Sequence, residues 1–445
     1  MRPPVVESLS KFAFGLVILL VLVWATGISP AQFGPAVAVY GWPALRTVGL
    51  TTLYALPLIV LLGVPAGLKA GSTLDRVLQA PALILAGVPA LLTLAAFGWI
   101  GLPGQRELAA AIVVAPWLGR AVRNGLAGTV AAGGWSNLRA VLGRMLQESG
   151  NLVVVTAPLH APPVLSSAVP GANLSSQTLG LAVPVLMGHL LGSLLTGNLS
   201  RRETGRRKAS RFWMEAGALL LLILMASVLS SFGQPEQFDP GARMVPPGSG
   251  EHLLGTDNLG RDMLSRLSAG ARSSLVMAVG ATAVASVIGV LLAGVGRLAG
   301  RVGAAILSPR VQAPNLFWIY VAGLILLPLG QPSVPWFIGA IGLASVPLIA
   351  YPLRCLLEGA SGPPAMGLVG AMAFVMAQAL FGDYLLSWAG LGLPPPAVSL
   401  GGLVASMAPL FDSAAHLMLP GGLLALGIGG FLLFGEALSE DSGDM

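Results

Sequence analysis

Charge is what this chain has least of: 9% of its 445 residues are Asp, Glu, Lys or Arg, against 55% hydrophobic, with a mean hydropathy of +0.82. A soluble domain is about a quarter charged, so this chain cannot solvate a globular surface and belongs in lipid. Cysteine is almost absent. The single Cys355 excludes an internal disulfide and a thiolate metal cluster. His160, His189, His252 and His416 are scattered with no two at ligand spacing, so no metal and no other cofactor is expected. Lysine occurs only as Lys11, Lys69 and Lys208, none of them after a glycine. That excludes a G-x-x-x-x-G-K-[ST] loop and any ATP site built on it. The few cations are not gathered into a patch interleaved with aromatics, so nucleic acid is no partner. Nothing in the chain reads as catalytic machinery.

What is there is apolar sequence, in runs of roughly 16 to 25 residues recurring about a dozen times, the length a helix needs to cross a hydrocarbon core. The spacing predicts spans near 12–28, 47–69, 79–101, 107–120, 151–168 and 177–197, then 213–232, 273–297, 312–330, 334–354, 366–387 and 415–436. The first is expected to be a retained helix rather than a cleaved signal. Prolines such as Pro57, Pro89, Pro158, Pro184, Pro347 and Pro420 fall inside these runs. Helix bundles tolerate them because neighbours re-satisfy the freed backbone groups. The fold class is therefore all-α and polytopic, with about twelve transmembrane helices.

With both termini cytoplasmic, Lys and Arg crowd the inner loops over the outer ones by about three to one. Arg120, Arg123, Arg139, Arg144 and Arg354 fall inside, whereas Arg243, Arg261, Arg266 and Arg272 fall outside. The segment Ser200 to Arg211, SRRETGRRKASR, would sit against an anionic inner leaflet, making membrane lipid a partner. It divides the chain into a first half, 1–199, a basic linker, 200–212, and a second half, 213–445. Gly63 to Gly71, GVPAGLKAG, and Gly289 to Gly294, GVLLAG, echo one another at equivalent places, as duplicated transporter halves do.

One stretch departs from this pattern. Leu254 to Arg272, LGTDNLGRDMLSRLSAGAR, is dense in charge and flanked by spans. Asp257 with Arg261 and Asp262 with Arg266 stand four apart, which predicts local ion pairs on a short helix lying on the membrane. With Arg272 these residues form an extracytoplasmic elbow that fixes the loop, with partner docking as a second role. His189 and Asp383 lie in or beside spans, where an ionisable group is costly unless paired, so both are candidate pathway residues.

Leu254 to Arg272 resembles, almost letter for letter, the segment before the first core helix in a membrane subunit of dipeptide/oligopeptide/nickel-type ABC importers. Leu386 to Gly402, LSWAGLGLPPPAVSLGG, and Leu419 to Glu440, LPGGLLALGIGGFLLFGEALSE, are similar to that subunit's later loop and closing helix. Trp42 to Arg76, with its GVPAG element and following STLDR, looks like the opening core helix of the companion subunit. The resemblance implies both permease subunits fused in one chain, in the bacterial inner membrane, with ABC ATPase subunits and an extracytoplasmic solute-binding protein as partners.

The family couples to its ATPase through a short cytoplasmic helix, and Thr129 to Gly150, TVAAGGWSNLRAVLGRMLQESG, is similar to it. Ala131 and Ala132 supply a small face, Gly134 a turn, and Ser136 a cap for a helix through Arg139 and Val141. An ordinary amphipathic interfacial helix is the alternative. The second half has no such loop, only Glu358 to Pro364, which puts symmetric coupling in doubt. Two other readings stay open: a carrier driven by an ion gradient, and a degenerate permease acting as a membrane scaffold.

Overall fold

The computed structural model describes residues 42–69, 105–127, 134–156, 211–230, 233–298, 315–357, 364–411 and 413–441, with single positions near 35–38, 72–78 and 181–191. The expected spans 12–28, 79–101 and 177–197 lie almost wholly outside these residues. Within them every regular element is helical, and extended pairing is limited to the isolated bridges Ser249–His252 and Thr256–Asp262. In lipid this follows from the backbone itself, because only a helix satisfies its own peptide groups along a single segment.

The helices are α1 (Trp42–Leu68), α2 (Gln105–Ala127), α3 (Gly134–Thr156), α4 (Arg211–Leu229), α5 (Met263–Leu298), α6 (Asn315–Leu326), α7 (Val334–Leu357), α8 (Pro364–Leu386), α9 (Leu400–Met407) and α10 (Leu419–Asp441). Among the described residues, five stretches are long and apolar enough to cross a membrane: Val48–Leu68, Met263–Val295, Val334–Arg354, Gly367–Leu391 and Ala415–Leu438. The expected span 107–120 is instead part of the longer α2, whose Arg120, Arg123 and Asn124 keep it from that class. The span expected at 151–168 begins inside α3, which runs unbroken past Gly150. α9 was not expected.

Two parallel helix pairs occur among the described residues. α1 packs along α2, and α5 along α7. Small residues set the approach: a Cβ on Gly63 would lie 2.6 Å from the Gly119 carbonyl oxygen, and one on Gly289 3.0 Å from the Ile349 side chain. Gly119 follows Pro116 by the same interval as Ala350 follows Pro347, and the buried Arg123 and Arg354 stand at one further matching interval. The pairs thus share a proline, a small residue and an arginine at matching intervals on the second helix, and a close-packed glycine on the first. α8 and α10 lie antiparallel and close the second bundle with α4, while α3 packs on α2 and reaches α6. The outward faces are apolar: Val276, Val279, Val287, Val290 and Leu291 on α5 are all more than half exposed, a stripe that suits contact with lipid chains.

Candidate functional site

The bundle has two unlike ends. At one, the chain between α4 and α5 folds into a polar elbow. Gly255 and Gly260 adopt positive φ, and a side chain on Gly260 would collide with the Asp239 carbonyl, so only glycine closes this turn. The turn wraps Asp257, which is 1% exposed. Its Oδ1 accepts from the backbone N–H of Leu259 (2.9 Å) and of Arg261 (3.0 Å), and its Oδ2 from Arg261 Nε (2.8 Å). Arg266 stands 3.5 Å from the same oxygen. Glu236 bridges the two arginines, at 2.7 Å from Arg261 and 3.1 Å from Arg266.

The expected Asp257–Arg261 pair therefore forms, but the segment is a folded turn and not a helix on the membrane surface. The expected Asp262–Arg266 side-chain pair does not form. α5 starts at Met263, so Asp262 stands before its first turn and accepts from Ser265 N–H at 2.8 Å, which a free helix N-terminus rewards more than a distant cation does. Asp262 also meets His252 at 3.2 Å. Arg272 lies well inside α5 and donates to the Val228 carbonyl at 2.9 Å, tying α5 to the end of α4. His416 Nε2 lies 2.8 Å from the Thr256 carbonyl and joins the elbow to the start of α10. Glu236 was missed by sequence reasoning; its signal was a lone carboxylate close to an arginine-rich turn.

Beside the elbow, Asp383 on α8 is 1% exposed and sits at the N-terminus of α9. Oδ1 accepts from Ser399 Oγ (2.7 Å) and Ser387 Oγ (3.3 Å), and Oδ2 from Ser274 Oγ (2.8 Å) and Gly401 N–H (2.9 Å). Ser274 and Ser399 in turn accept from Leu400 and Gly402 N–H. The carboxylate thus satisfies the first turn of α9 directly and through two serines, where a helix favours negative charge. A Cβ on Gly401 would stand 2.5 Å from the α8 backbone, so α9 can dock only with hydrogen there. Ser274, Ser399 and Gly401 were not foreseen. His189, the other candidate pathway residue, lies outside the described residues.

At the opposite end, Asp75 is wholly buried and takes a two-pronged bond from Arg123 on α2, Nε to Oδ1 at 3.1 Å and Nη2 to Oδ2 at 2.8 Å. The fork of a guanidinium matches a carboxylate in this way, and such a pair is costly to break from one side. It fixes the loop after α1 to α2. α3 leaves the same end. A Cβ on Gly125 would come 2.8 Å from Val141 Cα, so Val141 seats α3 against α2 at near-backbone distance. Thr129, Ala131 and Ala132 lie outside the described residues. Gly134 and Ser136 lie on α3 at the edge of the described residues. Arg139 is exposed, and Leu138 and Leu142 beside it are 46% and 43% exposed. An apolar stripe next to a cation on a partly exposed helix suits a protein groove. Sequence reasoning named Arg139 and passed over the two leucines, although their four-residue spacing was legible.

No family model matches the chain. It is similar to a protein of Brucella suis biovar 1 described as a peptide transport system permease, 27% identical over 270 residues, which cover 54% of this chain and 90% of the relative. A second Brucella suis protein, described as a peptide permease, is 27% identical over 274 residues, 53% of this chain and 89% of the relative. The oligopeptide transport system permease protein OppC of Bacillus subtilis is 26% identical over 252 residues, 50% of this chain and 81% of its own length. The chain is a homologue of bacterial peptide and oligopeptide transport permeases, which are membrane transport proteins and not enzymes.

Proposed function

We propose that the chain forms the translocation path of a peptide-type ABC importer, with both permease halves, 1–199 and 213–445, fused through the basic linker 200–212. The observation that carries this reading is a matter of lengths. Nearly whole permeases match only about half of this chain, and the described helices contain two similarly built parallel pairs, α1 with α2 and α5 with α7. One permease-sized unit plus a second of like design is what a fusion leaves. About twelve spans, two groups of six, complete the picture.

In this reading the end bearing Arg120, Arg123, Arg139 and Arg354 is cytoplasmic, with both termini, as the crowding of cations requires. ABC ATPase subunits engage α3 through Leu138, Arg139 and Leu142. A solute-binding protein delivers cargo at the elbow, whose ion-pair network keeps its surface in one shape. The chain itself does no chemistry; it alternates between outward-open and inward-open states. Asp383 bears on the choice of energy source. Its acceptors are filled by donors of its own fold, so the best-placed carboxylate for an ion-driven carrier is engaged in holding α9, which favours an ATPase-driven path.

The test is purification of the tagged full chain from its native membrane. The expected result is copurifying ATPase subunits, with ATP hydrolysis that disappears when they are stripped away. A chain that purifies without any nucleotide-binding subunit, yet moves a tripeptide into proteoliposomes down a proton gradient, would overturn the reading.

A further inference from the structure

In the proposed reading the second half has only the short turn Glu358 to Pro364 where a coupling loop would lie, so its movement needs a path from the first half. Across the cytoplasmic end a charge contact between described residues supplies it. Arg120 Nη2 on α2 lies 3.4 Å from Glu436 Oε2 on α10, both side chains about a quarter exposed. Arg120 is flanked by the two structures that matter for coupling. Toward the first half, α3 is pressed against α2 at Gly125 and Val141. Toward the second half, Gly435 beside Glu436 is packed against α8, where a Cβ would lie 3.1 Å from the Gly370 carbonyl oxygen, so a shift of Glu436 cannot leave α8 in place.

We propose that the Arg120–Glu436 pair is the link through which the coupling helix of the first half, packed on α2, moves α10 and α8 of the second, so that one productively docked ATPase drives both halves. The inference rests on the ATPase-driven reading above. Displacing α3 moves α2 and Arg120 with it, and the released or tightened pair shifts α10. A half-buried pair outside bulk water keeps enough of its Coulomb attraction for this, where a fully exposed pair would be screened.

The test uses the copurified complex of full chain and ATPase subunits in nanodiscs, with Cys355→Ser to remove the native thiol. Two reporters are introduced separately, Leu68→Cys at the end of α1, beside the Gly67 contact with α2, and Val369→Cys on α8, both at exposed positions. Maleimide labelling rates are compared without nucleotide and after vanadate trapping with ATP. Both reporters are expected to change rate on trapping. With Arg120→Glu or Glu436→Arg the Val369→Cys response should be lost while the Leu68→Cys response persists, which also shows the complex to be folded and occupied. The swap Arg120→Glu/Glu436→Arg should restore the second-half response. A Val369→Cys response that survives either single reversal, or that the swap fails to restore, overturns the relay and leaves the transport reading intact. Absence of any ATPase from the complex overturns both.

Discussion

At the scale of single residues, the buried charges of this chain are anchors, and each has a cost that can be measured. Asp383→Ala would leave Gly401 N–H and the hydroxyls of Ser274 and Ser399 without their acceptor. Bonds to a charged acceptor are worth about 1.5–3 kcal/mol each, so a loss of about 3 kcal/mol or more is expected. Ser387→Ala removes only the longest contact, 3.3 Å, and should cost under about 1 kcal/mol. Thermal unfolding in detergent, followed by size-exclusion monodispersity, compares the two; equal midpoints for Asp383→Ala and the unchanged protein would remove Asp383 from the anchoring role. Gly401→Ala should be destabilising by about 1–3 kcal/mol, because its methyl meets backbone and not a movable side chain. The lone carboxylate in an apolar run was plain in the sequence, and its partners were not. Ser274 lies 109 residues away, and nothing local to Asp383 encodes a contact at that distance. The same holds for Asp75, written in the STLDR run, and its partner Arg123 on another helix.

At the scale of elements, α3 is where a change should separate transport from folding. Its buried side, Val141 against Gly125, holds the helix in place, and its exposed Leu138 and Leu142 are free to enter a groove. Leu138→Glu/Leu142→Glu should therefore abolish ATP hydrolysis by the complex, or release the ATPase subunits, while membrane abundance stays as before. Gly134→Glu, at the edge of the described helix, should do the same. Comparable changes at Gly359 or Ser361, in the short turn of the second half, should matter far less. Equal losses at both places would mean that the second half engages an ATPase directly. Hydropathy made most of the apolar helices legible, to within a few residues for α1, α7 and α8, because a run that must satisfy its own backbone in lipid has one solution. It failed where polar chain folds on itself. The elbow reads as an (i, i+4) helix, yet two positive-φ glycines turn it into a loop, and the helix expected to start after it starts at Met263 instead. α9 was hidden because eight residues are too few to register against the flanking runs.

At the scale of the whole molecule, the remaining question is which end faces the cytoplasm, and the helix directions make it answerable with two cysteines. α5 and α7 run parallel, since Gly280 meets Ile338 and Gly289 meets Ile349 in the same order along both. Parallel neighbours require the chain to return between them, so α6, with its extension to Leu329, must cross back. From the elbow to the C-terminus the chain then crosses through α5, α6, α7, α8 and α10, an odd number, and Ser249 and Ser442 must fall on opposite sides. Cations choose the side. Those of the elbow do not count against an outer location, because Glu236, Asp257 and Asp262 accompany them, whereas Arg139 at the other end is exposed and the basic linker adds six more cations there by the proposed orientation. In intact cells carrying Cys355→Ser, a membrane-impermeant maleimide should label Ser249→Cys directly and Ser442→Cys only after permeabilisation. The reverse pattern would invert the molecule and put α3 out of reach of any ATPase. Labelling of both from one side would mean that one of these helices does not cross, and α6, at twelve residues, would be the first to examine.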